Sequence, residues 1–172
     1  MSRHPRCSRL AFVALGSNLG ASREVLRAAM QQLQAFSSQP LVKSSLWQTS
    51  PVDCPPGSPP FVNAVVGLVA GARETPKSLL VKLQAMEKEF GRQPKKILNE
   101  PRSLDLDLIA FGGEMRNTPE LTLPHPRAHL RRFVLQPLAE IAPEVVLPGH
   151  AKTVEAWLKE LQSNETIVRL AS

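Results

Sequence analysis

Tyrosine is absent from this 172-residue chain, and aromatic residues make up only 5% of it. Cysteine is almost as scarce. Cys7 and Cys54 stand alone, with neither metal-ligand spacing nor a disulfide framework, so a reducing, cytoplasmic setting is expected. No apolar run approaches the roughly 20 residues that cross a bilayer, and no signal-peptide cleavage pattern follows the basic start. A membrane partner is therefore not expected. Glycines follow the first apolar run, but no Gly-Lys-Ser/Thr ending follows them, which excludes a P-loop; a tight turn between strand and helix is the simpler reading. No Ser/His/Asp or Cys/His arrangement of a covalent catalyst stands out. What the chain does have is a net charge of +6, which favours anionic partners, and an ordinary globular share of apolar residues, 42%.

The most informative stretch runs from Asn99 to Phe111. From Leu104 it reads as a strand, with Leu104, Leu106 and Leu108 on one face and Asp105 and Asp107 on the other. Two carboxylates about 6.6 Å apart along a strand repel unless a proton, a basic side chain or a cation lies between them. An oxygen-only pair suits Mg²⁺, which takes one or two carboxylates and fills its shell with water and phosphate. The bland alternative is an exposed polar face. Arg92, Lys95, Lys96, Arg102, His125, Arg127, His129, Arg131 and Arg132 surround the pair in sequence, as Mg²⁺–nucleotide binding requires.

Around this stretch the chain reads as one domain over residues 10–172 behind a flexible leader, residues 1–9. Leu10 to Leu15 is a buried strand, and residues 22–36 are an amphipathic helix that Asn18 or Ser22 could cap. Leu41 to Trp47 is a second strand. Residues 48–60, with five prolines, form a long stiff loop. Phe61 to Ala70 is a third strand, in which Asn63 is the odd polar residue: a strand-end amide, or one that reads a planar heterocycle by donating and accepting at once. Thr75 and Pro76 open a second helix, which carries Leu79, Leu83, Met86 and Phe90 and stops at Gly91. Residues 92–100 are a second long loop. After the Asp-x-Asp strand, Pro137 should interrupt any long helix, and Thr153 caps a last short one. The order β-α-β-β-α-β predicts an α+β, ferredoxin-like antiparallel sheet with helices on one face, plus a C-terminal helical extension.

Four segments in this order resemble one family. Ala14 to Gly20, Phe61 to Ala64, Pro101 to Asp107, and Leu123 to Arg127 followed by Arg131 and Phe133 are similar to 6-hydroxymethyl-7,8-dihydropterin pyrophosphokinase, a transferase of folate biosynthesis. The resemblance runs from about residue 10 to about residue 160. It implies a ferredoxin-like fold and transfer of pyrophosphate from ATP to the pterin hydroxymethyl group, with release of AMP. It implies that Asp105 and Asp107 hold two Mg²⁺ ions, and that Arg92 and Arg102 join them in catalysis. Thr49, Ser50, Pro51 and Val52 would wall the pterin, Asn63 would bond its edge, and Phe61 and Phe133 would stack on its faces. Gln84, Glu87, Arg92, Arg102, Leu108, Thr122, His125 and Arg131 would surround ATP. The chain departs from the pattern at Pro94, at Asn99-Glu100, which sets a negative charge beside Arg102, and at Phe61, where some members carry Tyr. Partners are expected to be these small molecules rather than nucleic acid, and the protein is expected to be a monomer. The competing reading is a basic ferredoxin-like module for single-stranded RNA. Such modules stack bases on sheet aromatics, where this chain offers aspartates.

Overall fold

The computed structural model describes residues 9–51, 55–91 and 103–171. Its elements are β1 (Leu10–Ser17), α1 (Ser22–Leu33), β2 (Val42–Lys43), β3 (Trp47–Thr49), β4 (Phe61–Val69) and α2 (Pro76–Glu89). There follow β5 (Asp105–Phe111), the small ribbon β6 (Arg116–Asn117) and β7 (Thr122–Leu123), then α3 (Arg132–Ile141), α4 (Val154–Glu160) and β8 (Ile167–Arg169). The main sheet runs β5-β1-β4-β3-β8, with β2 also on β4, and its pairs are antiparallel. The two β-α-β units interleave. β4 fills the place between β1 and β3, and β1 fills the place between β4 and β5, which makes the mixed α and β architecture with an antiparallel sheet.

Helix signals in the sequence act as expected at α2. Thr75 Oγ1 accepts from Ser78 N at 3.1 Å while Ser78 Oγ accepts from Thr75 N at 2.9 Å, and Pro76 takes the first helical position. Gly91 follows with φ at 89°, the left-handed region that only glycine enters cheaply. At α1 the expected caps do not form. Ser17 Oγ donates to Ser22 Oγ at 3.1 Å, and Asn18 Nδ2 donates to Pro59 O at 3.4 Å, so these polar groups tie the end of β1 to its neighbours. The helical spacing read to residue 36 ends as α-helix at Leu33 and finishes as a 3₁₀ turn, Gln34–Phe36.

The strand expected over 41–47 is broken into β2 and β3. Ser44 Oγ accepts from Val65 N at 2.9 Å, so a side chain replaces backbone in the ladder. Glu140 of α3 then takes the Ser45 N–H, at 3.0 Å, and the Trp47 indole N–H, at 2.9 Å.

Helices cover both faces of the sheet, not one. Val13 and Leu15 of β1, Ala64 and Val66 of β4, and Leu106 and Leu108 of β5 pack against α1 and α2. On the reverse face, Phe12, Ala14, Val65 and Ile109 pack against Val134, Leu135 and Leu138 of α3 and Val154 of α4. The C-terminal extension is therefore the second helical layer, and the sheet lies between the two. Pro137 lies inside α3 without ending it. An interior proline costs a helix about 3 kcal/mol, and burying a leucine returns about 1.5–3 kcal/mol. Leu135 and Leu138, both fully buried, offset the proline between them. The sequence reading stopped at α4 and missed β8, which pairs with β3 at the sheet edge.

Candidate active site

The candidate site lies on the reverse face of the sheet, beside the end of α3 that begins at Arg132. Register fixes the arrangement. Trp47 lies opposite Asn63, Asn63 opposite Gly16, and Gly16 opposite Asp105, a row across four strands. In the next row but one along β5, Asp107 lies opposite Ala14. Because Leu106 and Leu108 are in the α1–α2 core, alternation sends Asp105 and Asp107 to the α3 side, both half-buried. The pairing expected from the sequence holds.

Gly16 is the residue that sequence reading undervalued. Its place among glycines after an apolar run suggests a turn, but the strand continues through it to Ser17, and the turn glycine is Gly20, with φ at 72°. What Gly16 supplies is room. A Cβ there would stand 3.1 Å from Asn63 Oδ1 and 3.8 Å from Phe61 Cδ1. With no side chain at Gly16, the Asn63 amide oxygen comes closer to β1 than a Cβ would allow. Asn63 cannot readily swing away, because its Nδ2 donates to Thr49 Oγ1 at 2.7 Å and both side chains are buried. Gly16→Ala should therefore displace Asn63, weakening binding of a planar ligand there about tenfold (~1.4 kcal/mol) and lowering thermal stability by about 1 kcal/mol. Calorimetric titration of the pterin beside a melting curve checks both.

β5 departs from regular pairing just past the aspartates. Val13 pairs with Leu108 and Phe12 with Ala110, so Ile109 is an extra residue, a bulge. The Ile109 carbonyl accepts from His125 N at 2.8 Å, which brings the turn after β7 to the aspartates. His125 Nδ1 accepts from Arg127 N at 3.1 Å, leaving Nε2 to carry the proton of a neutral ring. Burial first, then the Arg131 and Arg127 charges, push its pKa down from 6.5 to about 4, against a smaller opposing pull from Asp105.

The sign for stability follows. The fold keeps His125 neutral where the unfolded chain protonates it, so its contribution is complete above pH 6.5 and falls away as pH drops toward about 4. His125→Gln should flatten that part of the stability curve. Urea unfolding at a series of pH values measures it, and equal slopes for both proteins would contradict it.

Arg131 sits over the Phe133 ring, 5.4 Å from its centroid, and Phe133 packs against the α3–α4 core. Thr49, Phe61, Asn63, Asp105, Asp107, His125, Arg131 and Phe133 thus gather on one side of the sheet. Ser50 and Pro51 continue from the end of β3, and Thr122 is in β7, which packs along β5. Other expected residues stand apart. Gln84 is exposed on α2, against the opposite face. Glu87 is buried on α2, and its Oε2 accepts from Leu106 N at 3.0 Å, bracing the edge of β5 between the two aspartates. The Leu108 side chain is in the core, so only its backbone could meet a ligand. Val52, Arg92 and Arg102 lie outside the described residues, as do Cys7, Pro94, Lys95, Lys96, Asn99, Glu100 and Cys54.

The donor set fits Mg²⁺. Among the described residues no group of three or more His, Cys, Asp or Glu side chains forms a metal cage. Two carboxylates on one face of β5 are oxygen donors of the kind that Mg²⁺ combines with phosphate and water. No helix of the described residues is long and apolar enough to cross a membrane.

Comparison with known proteins agrees with this geometry. Residues 12–143 match the model of the family 7,8-dihydro-6-hydroxymethylpterin-pyrophosphokinase. A Haemophilus influenzae protein named 2-amino-4-hydroxy-6-hydroxymethyldihydropteridine pyrophosphokinase is 36% identical over 157 residues, covering 91% of this chain and 96% of its own. One of the same name from Pseudomonas aeruginosa is 41% identical over 138 residues, covering 80% and 83%. Among solved structures, wild-type Plasmodium falciparum HPPK-DHPS with pteroate superposes with a TM-score of 0.70 at 14% identity, over 88% of this chain. This chain spans 42% of that longer one, and at such identity the likeness shows the fold.

Proposed function

The chain belongs to the 7,8-dihydro-6-hydroxymethylpterin-pyrophosphokinase family, an enzyme family of folate biosynthesis, and from that premise we propose that it transfers pyrophosphate from Mg²⁺-bound ATP to the hydroxymethyl group of 6-hydroxymethyl-7,8-dihydropterin, releasing AMP. The observation that carries the reading is the row Asn63–Gly16–Asp105, an amide and a carboxylate on one face of the sheet with only a glycine between them. The amide suits the edge of a heterocycle, and a carboxylate pair suits the phosphate end of a nucleotide.

In this reading Asp105 and Asp107 hold two Mg²⁺ ions, whose contribution when bound is to neutralise phosphate charge and draw the acceptor hydroxyl toward it. Asn63 and Thr49 orient the pterin, Ser50, Pro51 and Val52 wall it, and Phe61 and Phe133 flank its ring. Arg131 and the Nε2–H of neutral His125 face the phosphates, with Arg92 and Arg102 serving the same end. Thr122 and the backbone at Leu108 border the nucleotide. The pterin hydroxyl oxygen bonds to the β-phosphorus as its bond to the oxygen bridging to the α-phosphorus breaks; that oxygen leaves on AMP, and the hydroxyl proton goes to solvent. No side chain becomes covalently bonded, so the protein contributes positioning, charge and exclusion of water.

Calorimetric titration with ATP tests the assignment against an RNA-binding module. The expected result is binding with Mg²⁺ present and its loss when a chelator removes the metal. Salt-sensitive binding of single-stranded RNA, with no metal-dependent ATP binding, would overturn it.

A further inference from the structure

The segment after α4 lies beyond the region matched by the family model, which ends at residue 143, yet it touches both halves of the candidate site. On one side it holds the pterin wall. Ile167 pairs with Thr49, Ser50 N donates to Thr166 O at 3.0 Å, and Thr166 N donates to Ser50 Oγ at 3.1 Å. Thr49 is the residue that pins Asn63. On the other side the segment holds the start of α3. Arg132 N donates to Glu165 Oε2 at 3.2 Å, and Arg132 Nη2 donates to Leu161 O at 3.2 Å.

The start of α3 needs this support. Its N-cap is Arg131, which makes no side-chain capping bond, and Arg131 and Arg132 place two cations where the helix dipole is positive. A carboxylate from 33 residues along the chain supplies what the local sequence lacks: an acceptor for the first helical N–H and a charge of the sign the dipole favours. Glu165 is itself fixed, since Ser163 Oγ donates to its Oε2 at 2.8 Å and its N–H donates to Ser163 Oγ at 3.1 Å. Its other oxygen, Oε1, is buried, as is Arg132 Nε. Water does not screen this half-buried contact fully, and a charge-assisted bond is stronger than a neutral one.

We propose that Glu165 is a positioning residue for the pyrophosphokinase site: it caps α3 from a distance, fixes Arg131 and Phe133 on either side of Arg132, and locks them at a set span from Thr49 and Ser50 through the adjoining Thr166 and Ile167. The segment 163–167 acts as a strap between the nucleotide side and the pterin side. A glutamine at position 165 keeps the acceptor and loses the charge; an alanine loses both.

The proposal rests on the pyrophosphokinase reading, so wild-type protein is assayed first. AMP formation that does not depend on the pterin would overturn that reading, whatever the variants do. Given pterin-dependent AMP formation, Glu165→Ala should raise the pterin KM about tenfold, and Glu165→Gln should stay within about threefold of wild type. A purely structural residue would lower the folded fraction, and so the apparent kcat, while leaving KM unchanged. Folding is checked by circular dichroism. If Glu165→Ala does not fold, Ser163→Ala, which removes only the support of the carboxylate, should raise the pterin KM about threefold. A wild-type pterin KM in folded Glu165→Ala, or in Ser163→Ala where the former does not fold, overturns the proposal. So does Glu165→Gln as impaired as Glu165→Ala.

Discussion

Asp105→Ala and Asp107→Ala should each reduce turnover a thousandfold or more, about 4 kcal/mol of transition-state stabilisation, and leave the protein folded. The expectation follows from where the carboxylates lie. Both are half-buried on the α3 side of β5, while the leucines between and beyond them fill the core on the other side. Removing either carboxylate opens no core cavity, so the stability change should stay within about a kcal/mol. The backbone between them is held independently, by β1 along one edge and by Glu87 at Leu106 N on the other. Pterin-dependent AMP formation measured beside a urea melt separates the two effects. A variant that keeps the wild-type rate at limiting Mg²⁺ would falsify the metal assignment.

Phe133→Ala and Phe61→Ala should weaken pterin binding by about 1–3 kcal/mol each, the scale of aromatic–base stacking. Phe133 should show the larger effect, for a reason visible in its surroundings. It packs against the α3–α4 core and lies under the Arg131 guanidinium, so its loss also frees that cation. Phe61 stands at the start of β4 against Gly16, and its loss should act on the pterin alone. Calorimetry with each substrate decides between stacking and packing. ATP affinity falling as far as pterin affinity in Phe61→Ala would favour a packing role.

Much of the fold was legible because local signals and tertiary packing agree. Thr75, Pro76 and Gly91 bound α2 by cap chemistry that needs no distant partner. The alternation of Leu106 and Leu108 with Asp105 and Asp107 survives because one face of β5 is core and the other is site. The misreadings occur where distant groups decide. Ser44 and Ser45 break a strand because Val65 and Glu140 supply alternative partners. Asn18 and Ser22 do not cap α1 and instead bond to Pro59 and Ser17. Pro137 is tolerated because Leu135 and Leu138 are buried around it.

The candidate site shows the same division. Asn63, Asp105, Asp107, His125 and Phe133 were found as polar or aromatic residues in a recognisable order, and register places the strand residues among them on one face. Gly16 was passed over, because a glycine within a run of turn residues reads as a turn; its position opposite both Asn63 and Asp105 exists only once three strands are in register. Glu165 gave no signal at all, since its partner Arg132 is 33 residues away. The available hint was the absence of a capping residue before α3.

The most direct test of the whole account is AMP release from MgATP by the wild-type protein, with and without 6-hydroxymethyl-7,8-dihydropterin, with the products separated by chromatography. The account predicts AMP and the pterin diphosphate in equal amounts when both substrates are present, and neither when the pterin is left out. ADP in place of AMP, or AMP formed at the same rate without the pterin, would contradict it.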